Sequence, residues 1–370
     1  MFLLERMIGV SIYCILLFWV FQMIKSGKIR YKKVLNIYIV LLSIMAYFYV
    51  PYKTADLYRI LKIVKSFSSY EFSDFAQNFL VGTSSPVAYF MYWVFGRAGI
   101  ARFLPVIVCF IVYGIIFHIV KIFSDKYQIS KKNIALFVFF IMSTGSYIMI
   151  ISNIRTMLAL SLICYCYARE TIEKKFNLAN MVVYILAMLI HNLAVVLVAL
   201  RIVIFVVRKK KNLSSYILTT IVIAIIAVVA IKYGGFLLEA VSEKAISYMS
   251  EKKYSYVWDY ILGTIILLIE LYILALNKKM RVKDAIIDEY RKYLILSIAL
   301  AVVFCGEFSI YHRILTYFCP MLITPVFIYA MDRIKTQRSR RYNFIFVLST
   351  LVLLLSCVRG SMSSLKFFVL

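Results

Sequence analysis

Acidic side chains are scarce in this chain: 17 Asp and Glu stand against 43 Lys and Arg, with 3 His beside them. The histidines, His118, His191 and His312, lie far apart and lack metal-ligand spacing, so no metal site is expected. There is no Gly-rich phosphate loop, no Ser-nucleophile elbow and no Asp-x-Asp pair for a metal–nucleotide sugar. Without a Walker motif, direct use of ATP is not expected. An enzyme of this composition has to take a substrate that arrives already activated, and no cofactor is called for. The 7 cysteines form no Cys-x-x-Cys and all sit in apolar sequence, where they read as small core hydrophobes. Polar segments long enough to fold as a water-soluble unit are missing too, so residues 1–370 read as a single membrane domain.

What fills the chain is apolar sequence. Hydrophobic residues make up 64% of it and the mean hydropathy is +0.89, which excludes a soluble globular or a disordered protein. The apolar runs cover 2–22, 34–50, 103–120, 134–151, 156–168, 178–207, 213–231, 258–276, 293–308, 314–331 and 344–358. A helix needs about 20 such residues to cross ~30 Å of hydrocarbon, and several runs meet or approach that length. The first has no small-residue cleavage site and is read as a retained helix. A net charge of +26 would suit nucleic acid, but most of the basic residues lie in six short linkers, 25–33, 121–132, 169–175, 208–211, 278–292 and 333–341. Placing all six in the cytoplasm satisfies the positive-inside rule, with membrane lipid rather than nucleic acid as the partner.

That orientation predicts an all-α, polytopic fold of about 12 transmembrane helices (range roughly 10–14) with both termini outside. Residues 178–207, bounded by basic linkers at both ends, become a hairpin with His191 and Asn192 at an apex below the outer surface. Residues 134–151 and 156–168 form a second hairpin with an outer turn at 152–155, and 293–308 with 314–331 a third, turning at 307–313. Residues 51–102 must then start and end outside. The break at Gly82, Thr83, Ser84, Ser85 and Pro86 makes about 79–96 a re-entrant or interfacial element. Residues 57–72 alternate Leu57, Ile60, Leu61, Val64 and Phe67 with Arg59, Lys62 and Lys65, which suits a helix lying on the outer leaflet.

The few polar residues gather on the outer side. Arg155 falls in the first turn of a helix capped by Ser152 or Asn153, where a cation opposes the helix dipole unless an anion is bound. An ordinary arginine snorkelling to the interface fits the same placement. His191 sits amid apolar sequence and suits either proton transfer or an interhelical hydrogen bond. Asp56 is a candidate acid–base group or a plain helix N-cap. Glu307, His312 and Arg313 cluster in the third turn, and Arg313 is expected to head a helix as Arg155 does. Glu270 lies inside an apolar run, with pairing to a Lys or Arg as its simplest explanation.

Three stretches carry a family resemblance. Asn153-Ile154-Arg155-Thr156-Met157-Leu158-Ala159-Leu160, then Lys174-Lys175-Phe176, then Ala187-Met188-Leu189-Ile190-His191-Asn192-Leu193-Ala194 resemble the EpsG family of Wzy-type polymerases. Asp56 and Tyr58, followed by Ser85-Pro86 and Tyr89, resemble its first outer-loop element, although Ala55 and Lys53 stand where the family often has Gly and Arg. The resemblance covers about residues 30–205 and beyond them only the Arg313 helix start. It implies a GT-C-like bacterial plasma-membrane glycosyltransferase that polymerises undecaprenyl-diphosphate-linked oligosaccharide repeats at the outer face, for capsule, exopolysaccharide or O-antigen. The reaction would be inverting and metal-independent, with a flippase and a chain-length regulator as possible partners. His191, Arg155 and Asp56 would be catalytic, and Arg313, Tyr58, Arg59, His312 and Glu307 would bind substrate. A flippase of lipid-linked oligosaccharide, or another lipid-dependent transferase such as an O-antigen ligase, is the alternative.

Overall fold

The computed structural model describes residues 2–53, 55–173, 177–208, 256–279, 284–304, 308–333, 338–358 and 365–367. The expected positions Glu307, 174–176 and 213–231 lie outside them. Apolar runs separated by basic linkers become helices, and no strand occurs among the described residues, only a single bridge between Tyr49 and Phe367.

In chain order the first half comprises α1 (Phe2–Ser26), α2 (Tyr31–Phe48), α3 (Asp56–Ser66), α4 (Phe72–Phe75), α5 (Pro86–Arg97) and α6 (Phe103–Tyr127). After α7 (Lys131–Thr144) and the short α8 (Tyr147–Ser152) come α9 (Ile154–Glu173), α10 (Leu178–Ile190) and α11 (Leu193–Arg208). The remainder is α12 (Tyr256–Lys279), α13 (Ala285–Val303), α14 (Phe308–Arg313), α15 (Cys319–Leu322), α16 (Thr324–Arg333) and α17 (Arg338–Val358), with a π turn at Ile314–Phe318.

Among the described residues five helices are long and apolar enough to cross a membrane: Arg6–Ser26, Tyr31–Phe48, Phe103–Tyr127, Trp258–Asn277 and Ser339–Val358. A sixth span is formed if Ile310–Leu322 and Thr324–Arg333, bent by 50°, are taken together. The described residues therefore supply five or six of the roughly twelve crossings expected. The bend has a cause in the sequence: Pro325 near the head of α16 cannot donate to the preceding turn, and its ring displaces that turn's carbonyl.

Packing fixes which ends share a side. Tyr31 and Lys32 of α2 bind Asp125 near the end of α6, and Tyr127 donates to Asp284 at the head of α13. The Ser130 amide and the Asn133 side chain both donate to Asp332 at 3.1 Å. Four of the six basic linkers thus meet at one end. Tyr47 meets Phe103 and Tyr38 meets Phe117, so α2 and α6 run antiparallel, and residues 49–102 begin and end at the opposite end as expected.

The hairpin of 178–207 is present, broken at His191 and Asn192 into arms of 13 and 16 residues. Arg201 in the returning arm pairs with Glu170 of α9 at 2.6 Å, and Tyr293 of α13 donates to the Leu197 carbonyl at 2.9 Å. The arms of the third hairpin also pack together, with α13 lying along α14–α16, but the turn expected at 307–313 is helical over Phe308–Arg313. The second does not form as two facing arms. Extended Gly145 ends α7, and α7 then packs on α1 and α17 while α9 packs on α6 and α10.

Residues 56–97 are a compact cap rather than a span. Gly82 takes a left-handed φ of 77° and splits the segment, and Phe67, Phe75, Phe79 and Trp93 interlock beneath it. The apolar face of α3 does not face lipid: Leu57, Val64 and the adjoining Phe67 are buried against protein, leaving Arg59, Lys62 and Lys65 outside. A Cβ built at Gly96 of α5 would collide with the Val64 carbonyl oxygen. Gly96→Ala is therefore expected to cost about 1–3 kcal/mol through forced backbone separation, measured as a lower unfolding midpoint in detergent.

Candidate active site

Eight side chains at the end opposite the basic linkers form a closed ring of electrostatic neighbours. Arg155 is the second residue of α9, in its first turn as expected. Asn153 supports that start through its backbone, whose carbonyl accepts the Met157 N–H at 2.9 Å. Its side chain turns to Met149 Sδ instead of capping. Arg155 is half-buried, and among the described residues no carboxylate or hydrogen-bond acceptor pairs with it. Its charge bears on Tyr92 of α5, and so does that of Asp56. The Tyr92 hydroxyl is buried without a hydrogen-bond partner among the described residues.

Asp56 is the first residue of α3, with Ala55 in the cap position, so it caps nothing. Its carboxylate accepts from Arg59 at 2.7 Å, and both side chains are substantially exposed. Tyr58 is exposed beside them. Both Asp56 and Asp259 act on Tyr52, whose hydroxyl is pushed above the ordinary phenol range first by burial and then by these two charges. Asp259 in turn acts on Tyr317, as does Arg313.

Arg313 and Arg155 both act on His191, which closes the ring. The expectation that Arg313 heads a helix is not met: α14 begins five residues earlier at Phe308, and Arg313 is its last residue, running on into the π turn. It reaches the same neighbourhood from the side of a helix rather than from a helix N-terminus. His312 hydrogen-bonds Tyr317 at 3.1 Å.

His191 ends α10 in an extended conformation (φ −156°, ψ 133°). Its Nδ1 accepts the Leu193 N–H at 3.1 Å, so the imidazole caps the start of α11 and holds the tight turn. An acceptor Nδ1 in a neutral ring puts the proton on Nε2, which makes the free nitrogen a donor.

The ring thus contains Arg155, His191, Arg313 and Asp56, all singled out by sequence, together with Asp259, Tyr52, Tyr92 and Tyr317, which were not. Asp259 stands in the first turn of α12, where an acidic residue favours the helix dipole and looks unremarkable in a linear reading. Its signal is its helical face: Leu262, Gly263 and Ile266 share it and turn inward, Gly263 against Tyr311.

Three donors from separate helices thus come together in one neighbourhood. The EpsG family model matches residues 89–368. The chain belongs to the EpsG family. Comparison with curated proteins and with solved structures returns no match. The EpsG match takes in Tyr92, Arg155, His191, Asp259 and Arg313 and begins after Asp56 and Tyr58, so the first part of the cap stands outside it. It also runs through the C-terminal half, well beyond the extent that the short motifs suggested. As an EpsG-family protein with several membrane-length helices, the chain is a multi-pass membrane protein.

Proposed function

We propose that this protein polymerises oligosaccharide repeat units carried on a lipid diphosphate, at the outer face of the bacterial plasma membrane. The observation that carries this reading is the convergence of Arg155, Arg313 and His191 Nε2 at the end opposite the basic linkers. The positive-inside rule puts those linkers in the cytoplasm and the donors under the outer leaflet. When a glycosyl group leaves a lipid diphosphate, negative charge grows on the departing oxygen, and preorganised cations and N–H donors stabilise that charge as it develops. Two guanidiniums also suit the phosphates geometrically, because each presents a planar fork of donors. Direct attack by the acceptor hydroxyl inverts the anomeric centre. Membership of the EpsG family supports a polysaccharide polymerase over other transferases. Undecaprenyl diphosphate as the carrier, a GT-C-like arrangement and about twelve crossings belong to the same proposal.

The test is reconstitution. Purified protein in liposomes, given a lipid-linked repeat unit and no nucleotide, should yield a ladder of lipid-linked products on a gel. Movement of the repeat across the bilayer with no ladder would overturn the reading in favour of a flippase.

A further inference from the structure

We propose that Asp259 is the group that takes the proton from the attacking sugar hydroxyl, a catalytic role resting on the polymerase reading above. Four other polar side chains of the ring come into question, and none of them is free to accept the proton. The His191 Nδ1 lone pair is held by the Leu193 N–H, so its free nitrogen donates rather than accepts. The Asp56 carboxylate is tied to Arg59 at 2.7 Å and lies at the exposed rim. Arg155 and Arg313 are cations and have no lone pair to offer.

Asp259 differs from all of these. It is half-buried and has no ion pair among the described residues. It lies on the inward face of α12, directly above the contacts that fix that helix. Tyr260 stacks near Tyr311 at 5.5 Å, and Gly263 packs on the same ring. The π turn that follows Arg313 is therefore its immediate neighbour. The groups facing it are phenols, Tyr52 from the 49–55 segment and Tyr317 from the π turn. Charges stand one step further away: Asp56 and Arg59 beyond Tyr52, and Arg313 beyond Tyr317. A carboxylate so placed keeps its basicity, whereas one locked to a guanidinium would lose it. The ring is thereby divided into an anion-holding side, with Arg155, Arg313 and His191, and a proton-accepting side, with Asp259 flanked by tyrosines.

The step balances on these groups. The acceptor oxygen forms a bond to the anomeric carbon, and the bond from that carbon to the phosphate oxygen breaks. The lipid diphosphate leaves with the electron pair, held by the donor side. The hydroxyl proton passes to the Asp259 carboxylate and from there to water. The exposed phenol of Tyr52 supplies a hydrogen bond and stacking area for the acceptor sugar.

The experiment compares wild type, Asp259→Asn, Asp259→Glu and Asp56→Asn in liposomes with a lipid-linked repeat, across a pH series. Binding of the same lipid-linked repeat is measured separately. Asp259→Asn should lower turnover about 10²–10⁴-fold and leave binding within twofold of wild type. The wild type is expected to gain kcat as pH rises, and Asp259→Asn should abolish that rise. Asp259→Glu should recover part of the rate together with that pH dependence, which a merely structural role would not produce, and it keeps the test decisive should the Asn variant fold poorly. Normal turnover in Asp259→Asn, or a pH limb unchanged in both variants, overturns the assignment while wild-type polymer keeps the polymerase reading. A wild type that makes no polymer overturns both.

Discussion

Replacing Arg155 by alanine should leave the protein inserted and folded but lower polymerisation about 10²–10³-fold, the usual loss when one preorganised charge contact to a transition state is removed. Single lipid-linked repeats should then accumulate, displayed on the outer leaflet, where a non-permeant glycan label would count them. The folded state has little to lose, because no carboxylate in the described protein pairs with this side chain. A cation in the first turn of α9 is also unfavourable in the empty protein, so its removal should leave stability unchanged or slightly raised. Arg155→Lys keeps the charge without the fork and should restore only part of the rate. Polymer of normal yield from Arg155→Ala would remove the central donor and the proposed chemistry with it.

Arg201→Ala should have the largest effect on folding. Glu170 Oε2 accepts both Nε at 2.9 Å and a terminal nitrogen at 2.6 Å, and the guanidinium lies 5.0 Å from the Tyr167 ring and 5.6 Å from that of Phe205. The pair is almost wholly enclosed, with Glu170 5% exposed and Arg201 9%. Removing one partner strands the other charge, at a cost of about 3–5 kcal/mol. Replacing both, as Glu170→Gln with Arg201→Met, should recover most of that loss, so the double-mutant cycle gives a large coupling energy. Unfolding in mixed micelles measures it, and a loss in the double variant equal to the sum of the two single losses would refute the coupling. The pair also ties the returning arm of the hairpin to α9, which sets the height of His191 against Arg155. Polymer yield should therefore follow stability across the cycle.

How much of this was legible in the sequence depends on how far each feature reaches along the chain. The hairpin apex at His191 was readable because a polar pair interrupts a run too long for one span and bounded by cations. The start of α9 was readable from Asn153 to Arg155, and the break at Gly82 from its turn residues. Features that depend on distant partners were hidden. The apolar face of α3 has the pattern of a lipid-facing helix, yet α5 covers it through the close approach at Gly96. Arg313 has the same neighbours in sequence as a helix-leading arginine, but α14 starts earlier and carries it past the terminus. Asp259 was passed over because an acid at a helix head is ordinary, and the helical face it shares with Gly263 gains meaning only once the neighbouring Tyr52 and Tyr317 are known. Glu270 is left without a role by the sequence, pairing with a Lys or Arg being its simplest explanation. It is fully buried, with neither oxygen hydrogen-bonded among the described residues.

The shortness of α10 has a consequence for the lipid around it. Its 13 residues reach ~20 Å, well under the ~30 Å of an average hydrocarbon layer. Where protein and membrane disagree by that much, the leaflet thins locally to meet the helix end. Headgroups beside this arm then ride deeper than those elsewhere. On the proposed polymerase reading, such a depression would bring a carrier's phosphates down toward the imidazole without taking them out of their own polar layer.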